Sequence, residues 1–352
     1  MPDKPRWQGV QCPVPLNQYP KIVMAHGSGG RLTRDLVQRM FEPVFDNAYL
    51  EQEHDGAVLE NPDARIAMTT DSHVVRPLFF PGSDIGKLSV YGTVNDLAMC
   101  GATPRWLSLS LIMEEGLETA TLWEIIRSIG EAAKHADVRI VTGDTKVIDR
   151  KGGGELLINT AGLGTLDHDR IIAPAEIRPG DRIVLSGDIG RHGIAVLSSR
   201  EGLSFETEIR SDCAPLHRMV LALIKKGVPI HCMRDCTRGG LATALVELSD
   251  QSRTHFEIME EAVPVDEAVH GACEIFGLDP LYVANEGRCI LFVPESHAKN
   301  ALRIIRSHEV GKLATVIGEV QDKPKGTVTA VNEYGGRRIL DLLTGDQLPR
   351  IC

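Results

Sequence analysis

Ile177-Arg178-Pro179-Gly180 divides this sequence into two periodic regions. Proline fixes its own φ and lacks an amide donor, and glycine accepts turn conformations, so neither helix nor strand runs through the pair. Upstream, Arg65 to Thr70 reads as a strand, Lys87 to Cys100 as a helix and Trp106 to Met113 as a strand. Thr121 and Glu124 have the spacing of a capping box, and Leu122, Ile125, Ile126 and Ile129 share one helical face. Val138 to Val141 and Leu156 to Leu163 read as strands, with the flexible loop Lys151-Gly152-Gly153-Gly154 between them. Downstream, the strands are Ile183–Leu185, Phe256–Met259, Cys289–Val293 and Leu313–Val320. The helices there are Leu241–Leu248, Glu267–Phe276 and Ala298–Ile305. Some strands adjoin without a helix between them, so parallel and antiparallel pairing are both expected. The expected fold is α+β, with two mixed domains at 21–170 and 171–331. Residues 1–20, with Pro2, Pro5, Pro13 and Pro15, read as a poorly ordered extension, and 332–352 as a mobile tail.

The bulk properties narrow the function. The 352 residues are 43% hydrophobic and 24% charged, the balance of a folded globular chain. A net charge of −10 without a long basic run argues against a nucleic-acid partner. An acidic surplus fits a chain that gathers metal cations or basic partners. No apolar run reaches the roughly 18 residues of a membrane span, and the start lacks the apolar core of a secretory signal. Eight scattered cysteines in a chain this large point to reduced thiols and the cytoplasm.

Several motifs carry chemistry. Asp71, Asp96 and Asp144 are expected where strands run out into one cleft, with Asp55 as a fourth acid; Mg²⁺ binds through a few such carboxylates and substrate phosphates. His26-Gly27-Ser28-Gly29-Gly30 precedes the helix-like spacing of Leu32, Leu36 and Met40, and offers backbone N–H groups to an anion. Asp235-Cys236-Thr237-Arg238-Gly239-Gly240 again joins a strand to a helix, and Arg238 adds a charged donor. A plain turn is the competing reading of the first glycine run, and a capped turn that of the second. Gly82-Ser83-Asp84-Ile85-Gly86-Lys87 imitates a phosphate-binding loop but is one residue short. His231, Cys232 and Cys236 have no second ligand pair at zinc spacing and read as buried groups. Cys352 ends the sequence on Pro349-Arg350-Ile351, in no prenylation box. Residues after Arg338 span up to about 50 Å when extended, so a flexible tail can deliver this thiol into a cleft.

These motifs, with Val94-Asn95-Asp96, Gly143-Asp144-Thr145-Lys146 and Asn285-Glu286-Gly287, resemble the HypE family of hydrogenase maturation factors. That family lies within the aminoimidazole ribonucleotide synthetase superfamily. The resemblance runs from about His26 to Cys352, and the terminal Pro349-Arg350-Ile351-Cys352 is its discriminating part. It implies ATP-dependent dehydration of an S-carboxamide on Cys352 to a thiocyanate, the source of the cyanide ligand of [NiFe]-hydrogenase iron. It implies Cys352, Glu286 and Lys146 as catalytic residues, with Glu286 removing a proton and Lys146 positioning or stabilising charge. Nucleotide contacts fall on His26 through Gly30, Asn95, Thr142, Gly143, Asp235, Thr237, Arg238, Gly239 and Gly240; Mg²⁺ falls on Asp55, Asp71, Asp96 and Asp144. Implied partners are the carbamoyltransferase HypF, a HypC–HypD iron scaffold and a second copy of the chain.

Two other readings stand beside this one. A small-molecule kinase or synthetase resembling selenophosphate synthetase would place its reactive thiol in the N-terminal glycine loop. Here that loop holds Ser28, and Cys12 lies well upstream. A non-catalytic assembly scaffold would use the tail only for docking.

Overall fold

The computed structural model describes residues 20–23, 36–45, 65–149, 155–202, 208–322 and 326–342. His26 through Gly30, Leu32, Asp55, the 151–154 loop and Cys352 lie outside the described residues.

The first domain carries a four-stranded sheet in the order β1-β6-β4-β5. Its strands are β1 (Arg65–His73), β4 (Thr103–Glu114), β5 (Arg139–Ile148) and β6 (Leu156–Leu166). A small hairpin of β2 (Phe79–Phe80) and β3 (Ser83–Asp84) stands apart. β4 and β5 pair in parallel through an intervening helix, whereas β6 pairs antiparallel with both β4 and β1. Along β4, Leu107, Leu109, Leu111 and Met113 are buried and point to the helical side. Among the described residues no element covers the other side.

Helix α1 (Ile85–Met99) contacts β1, β6 and helix α2 (Thr119–Ala136), and on its far side meets the second domain. Being covered all round, it shows no polar stripe. The short Walker-like stretch before it has a structural purpose. Asp84 caps α1, accepting from the N–H groups of Gly86 and Lys87 and from Ser128 Oγ, so its carboxylate occupies those amides. The capping box at Thr121 is corrected: α2 begins at Thr119 after Glu118, with no side-chain cap, and Thr121 lies inside the helix.

The second domain is a seven-stranded sheet in the order β13-β12-β9-β11-β7-β10-β8. β7 (Asp181–Leu185) and β10 (Cys289–Pro294) are neighbours, flanked by the edge strand β8 (Cys232–Asp235) and the middle strand β11 (Thr315–Gln321). β9 (His255–Met259) and β12 (Thr327–Val331) pair in parallel; the other pairings in this sheet are antiparallel. Strand side chains alternate between faces, and here both faces are covered. Ile183, Leu185, Ile290 and Phe292 pack with helix α5 (Gly240–Ser252). Val184, Leu291 and Val293 pack with α4 (His217–Lys225) and α7 (Glu295–Ile305). Helices α3 (Arg191–Glu201) and α6 (Glu267–Phe276) contact each other beside this core.

β13 (Arg337–Leu340) lies inside the stretch read as a mobile tail. Its residues pair with β12, Val331 opposite Arg337 and Val328 opposite Leu340, and Leu340 is buried, so the sheet claims this part of the chain.

Candidate functional site

A cavity of about 600 Å³ opens where the two domains meet. From the first domain, β1 supplies Asp71 and His73 near its end, and α1 supplies Asp96. From the second, β8 ends at Asp235, the following turn supplies Thr237 and Arg238, and the segment before β10 supplies Glu286. A neighbouring cavity of about 540 Å³ shares Asp96, Asp235, Thr237 and Arg238 with the first.

The site is crowded with negative charge. Burial pushes the Asp235 carboxyl up to about 7, and the nearby Asp96 and Asp71 add to that shift while Arg234 opposes it. Burial likewise raises Asp96 to about 6; the hydrogen bond from Thr69 Oγ1, at 2.9 Å, works against this and Asp71 reinforces it. Arg238 Nη2 donates to Asp71 Oδ1 at 3.3 Å, bridging the domains. His73 is held below its ordinary range chiefly by burial, with Asp71 working against this; its Nε2 lies 3.7 Å from Asp71 Oδ2. Gly92 makes room for that ring, because a Cβ there would fall 2.9 Å from His73 Cε1. Among the described residues no three His, Cys, Asp or Glu side chains close on one metal point by themselves.

The turn after Asp235 is tight. Gly239 and Gly240 both adopt left-handed backbone, φ 68° and 66°, which favours glycine. A Cβ on Gly240 would meet Leu281 O and Val283 O at 2.6 and 2.7 Å. These glycines bring the start of α5 against the segment that leads to Glu286.

Two family models match the chain: AIR synthase related protein, N-terminal domain, over residues 53–166, and AIR synthase related protein, C-terminal domain, over 178–331. Carbamoyl dehydratase HypE of Cupriavidus necator is 48% identical over 345 residues, covering 98% of each chain. A solved structure of hydrogenase maturation protein HypE in complex with ATP superposes with a TM-score of 0.90 at 45% identity, covering 94% of this chain and 99% of that one. The chain belongs to the HypE family. A solved HypE–HypF complex also matches, with a TM-score of 0.76 at 46% identity, covering 87% of this chain and 99% of the matched one.

In this HypE-family chain the structure separates the expected site residues into groups. Asp71, Asp96, Asp235, Thr237, Arg238 and Glu286 line the interdomain cavity. Asp96 does so from inside α1, not from a strand end. Thr142, Gly143, Asp144 and Lys146 lie along β5, at the other edge of the four-stranded sheet from β1, about 14 Å away at ordinary strand spacing. Asp144 is mid-strand, correcting the expectation of a strand end. Its exposed side chain points to the open face, in a row running Asp144, Ser110, Asn159, Ser72 across the sheet. Gly143 serves strand packing, since a Cβ there would meet Leu109 O at 2.2 Å. Asn95 is buried at the domain junction, away from the cavity lining. Reading the sequence missed His73 at the cavity and Asp212 behind Glu286. Asp212 sits in an unpatterned stretch and reaches Glu286 across 74 positions, which no local spacing reveals. Cys232 and Cys236 are buried, and His231 pairs with Asp181.

Proposed function

We propose that this chain uses ATP to dehydrate a carbamoyl group carried on Cys352, converting S–C(=O)–NH₂ to S–C≡N for the iron of a [NiFe]-hydrogenase. The observation that carries the reading is the convergence of Asp71, Asp96 and Asp235, from two domains, on a cavity walled by Glu286 and Arg238. Membership in a family whose relatives are carbamoyl dehydratases supports it.

A carboxamide oxygen leaves poorly as hydroxide. Its attack on the γ-phosphorus of ATP releases ADP and one N–H proton and makes an O-phosphoryl imidate. Loss of phosphate with the remaining N–H proton then closes the C≡N bond, and Glu286 at the cavity wall is the base for that proton. Arg238 turns from Asp71 to the phosphates, and the start of α5 adds backbone N–H groups. The crowded carboxylates fit a hard cation: Asp71, Asp96 and Asp235 would hold Mg²⁺, with Asp55 and phosphate oxygens completing its shell. Mg²⁺ supplies neutralisation of phosphate charge.

The chain works as a homodimer in this reading. The open face of the first sheet exposes Met68 by 72%, Ile66 by 48%, Ile148 by 38% and Ile112 by 37% beside the polar row of Asp144, Ser110, Asn159 and Ser72, a mixed surface that a second copy can cover. Among the described residues β1 and β5 are the edges of this sheet. A two-fold that sets the partner's β5 beside β1 removes both edges and carries the partner's Asp144 and Lys146 toward Asp71. Lys146 then stabilises charge from across the interface. A HypF-type carbamoyltransferase loads Cys352, a HypC–HypD iron scaffold takes the cyanide, and the setting is the cytoplasm, in keeping with the free thiols of the six described cysteines.

Phosphate release tests the coupling. ATP hydrolysis by the purified chain is expected to be weak, and to rise on carbamoylation of Cys352 with one phosphate released per carbamoyl group. Phosphorylation of a small metabolite independent of loading would favour the kinase reading instead.

A further inference from the structure

Both backbone polar groups of Glu286 are held by side chains from distant parts of the chain. Its N–H donates to Asp212 Oδ1 at 3.3 Å, and its C=O accepts from Asn95 Nδ2 at 3.2 Å. Asp212 Oδ2 accepts the next amide, that of Gly287, at 3.1 Å. Asn95 also donates to Ala214 O at 3.1 Å, and its Oδ1 accepts from Leu216 N–H at 2.8 Å. It is 2% exposed, and each of these contacts is made to the second domain. The next residue on α1, Asp96, faces the cavity.

The flanks of Glu286 have ties of their own. Asn285 donates from N–H and Nδ2 to Cys236 O, both at 3.0 Å, and Cys236 N–H donates to Arg288 O at 3.0 Å. β10 then pairs with β8 from Cys289 onward. The flanks of this segment therefore have anchors besides Asn95 and Asp212, although Asp212 Oδ2 also lies 4.0 Å from Arg288 Nε, whereas the Glu286 peptide is held by these two side chains. A buried side-chain amide also leaves unpaired groups when it is removed, and the peptide it held shifts to satisfy them.

We propose that Asn95 and Asp212 are positioning residues that clamp the Glu286 backbone, and that the Asn95-Asp96 pair registers the base of the second domain against the carboxylate of the first. This rests on Glu286 being the base of the reaction proposed above. Asn95 thus acts on the chemistry from behind the cavity, through Glu286, with no contact to nucleotide.

The test uses the full chain carbamoylated on Cys352, with ATP and Mg²⁺ added, and follows loss of water in a single turnover over a range of ATP concentrations. Asn95→Ser and Asp212→Asn are expected to slow the reaction, on the order of 10²-fold for a base displaced by about 1 Å, with half-saturating ATP unchanged. In a Glu286→Gln background the same changes are expected to cost nothing further, because residues acting as one unit are not additive. Thermal melts check folding; Asp212→Asn, which preserves shape, carries the test alone if Asn95→Ser does not fold. Parental turnover by the folded variants would overturn the clamp, as would a loss that multiplies fully in the Glu286→Gln background. Parental turnover by Glu286→Gln itself would overturn the base assignment, and the clamp with it.

Discussion

Arg238 Nη2 reaches Asp71 Oδ1 at 3.3 Å, joining the turn before α5 to the end of β1 across the domain boundary. The Arg238 side chain is 79% exposed, so the pair is screened and adds little to stability, about 0–1 kcal/mol. Its position over the cavity suits it to phosphate. Arg238→Ala is expected to leave the melting temperature unchanged and to raise half-saturating ATP about tenfold, the loss of one charge-assisted hydrogen bond. Titration of ATP against turnover checks this.

The carboxylates give a pH signature. Asp235 has its folded carboxyl raised to about 7 from 3.8, so the folded state binds the proton more tightly than the unfolded one. Its contribution opposes folding in full above pH 7, fades as pH falls from 7 toward 3.8, and is absent below. Asp96, raised to about 6, acts in the same direction. Asp235→Asn is therefore expected to melt higher than the parent at pH 8 in chelator, with the gap narrowing below pH 7 and closing toward pH 4. The difference between variant and parent is the quantity to read. Buried His192 and His217, both lowered to about 4, lose stability in the opposite sense as pH falls below 6.5, and they do so equally in both proteins.

Gly287 sits against the backbone of Asp212, whose side chain accepts from the Glu286 N–H. A Cβ there would lie 2.0 Å from Asp212 O, a contact only backbone movement relieves. Gly287→Ala is expected to destabilise the chain by about 1–3 kcal/mol and to slow dehydration more than tenfold, measured by urea melts and single-turnover assays.

Met68 lies in the open sheet face, 72% exposed. Met68→Lys is expected to leave the chain folded and to weaken the proposed dimer in light-scattering measurements, since a charge buried against a second copy is costly. Retention of the dimer would place its interface elsewhere.

Much of the fold was legible because it is periodic. Glu267–Phe276 forms a helix over the residues that its spacing marks, and the strands at Arg65, Asp181 and Cys289 follow their apolar runs. Helix α3 was not legible, since His192 through Ser198 are all buried and leave no polar stripe to set a period. β13 hid behind Arg337 and Arg338, whose charges pair with Glu257, Glu260 and Asp279 at the sheet edge. In the site, residues next to glycine turns were readable: Asp235, Arg238 and Glu286 all reach the cavity. The role of Asn95 was not, because its hydrogen bond to Glu286 spans 191 positions. Nor does spacing tell which face of β5 Lys146 takes; that follows from the register Ile112 to Lys146.

The most direct measurement is the mass of the C-terminal peptide. With carbamoyl phosphate and the carbamoyltransferase present, the peptide bearing Cys352 is expected to gain one carbamoyl group. Addition of ATP and Mg²⁺ is then expected to remove one water from that peptide, and Glu286→Gln to block the second change while sparing the first. A loaded peptide that keeps its water in the presence of ATP and Mg²⁺, or a carbamoyl group found on another residue, would contradict the account.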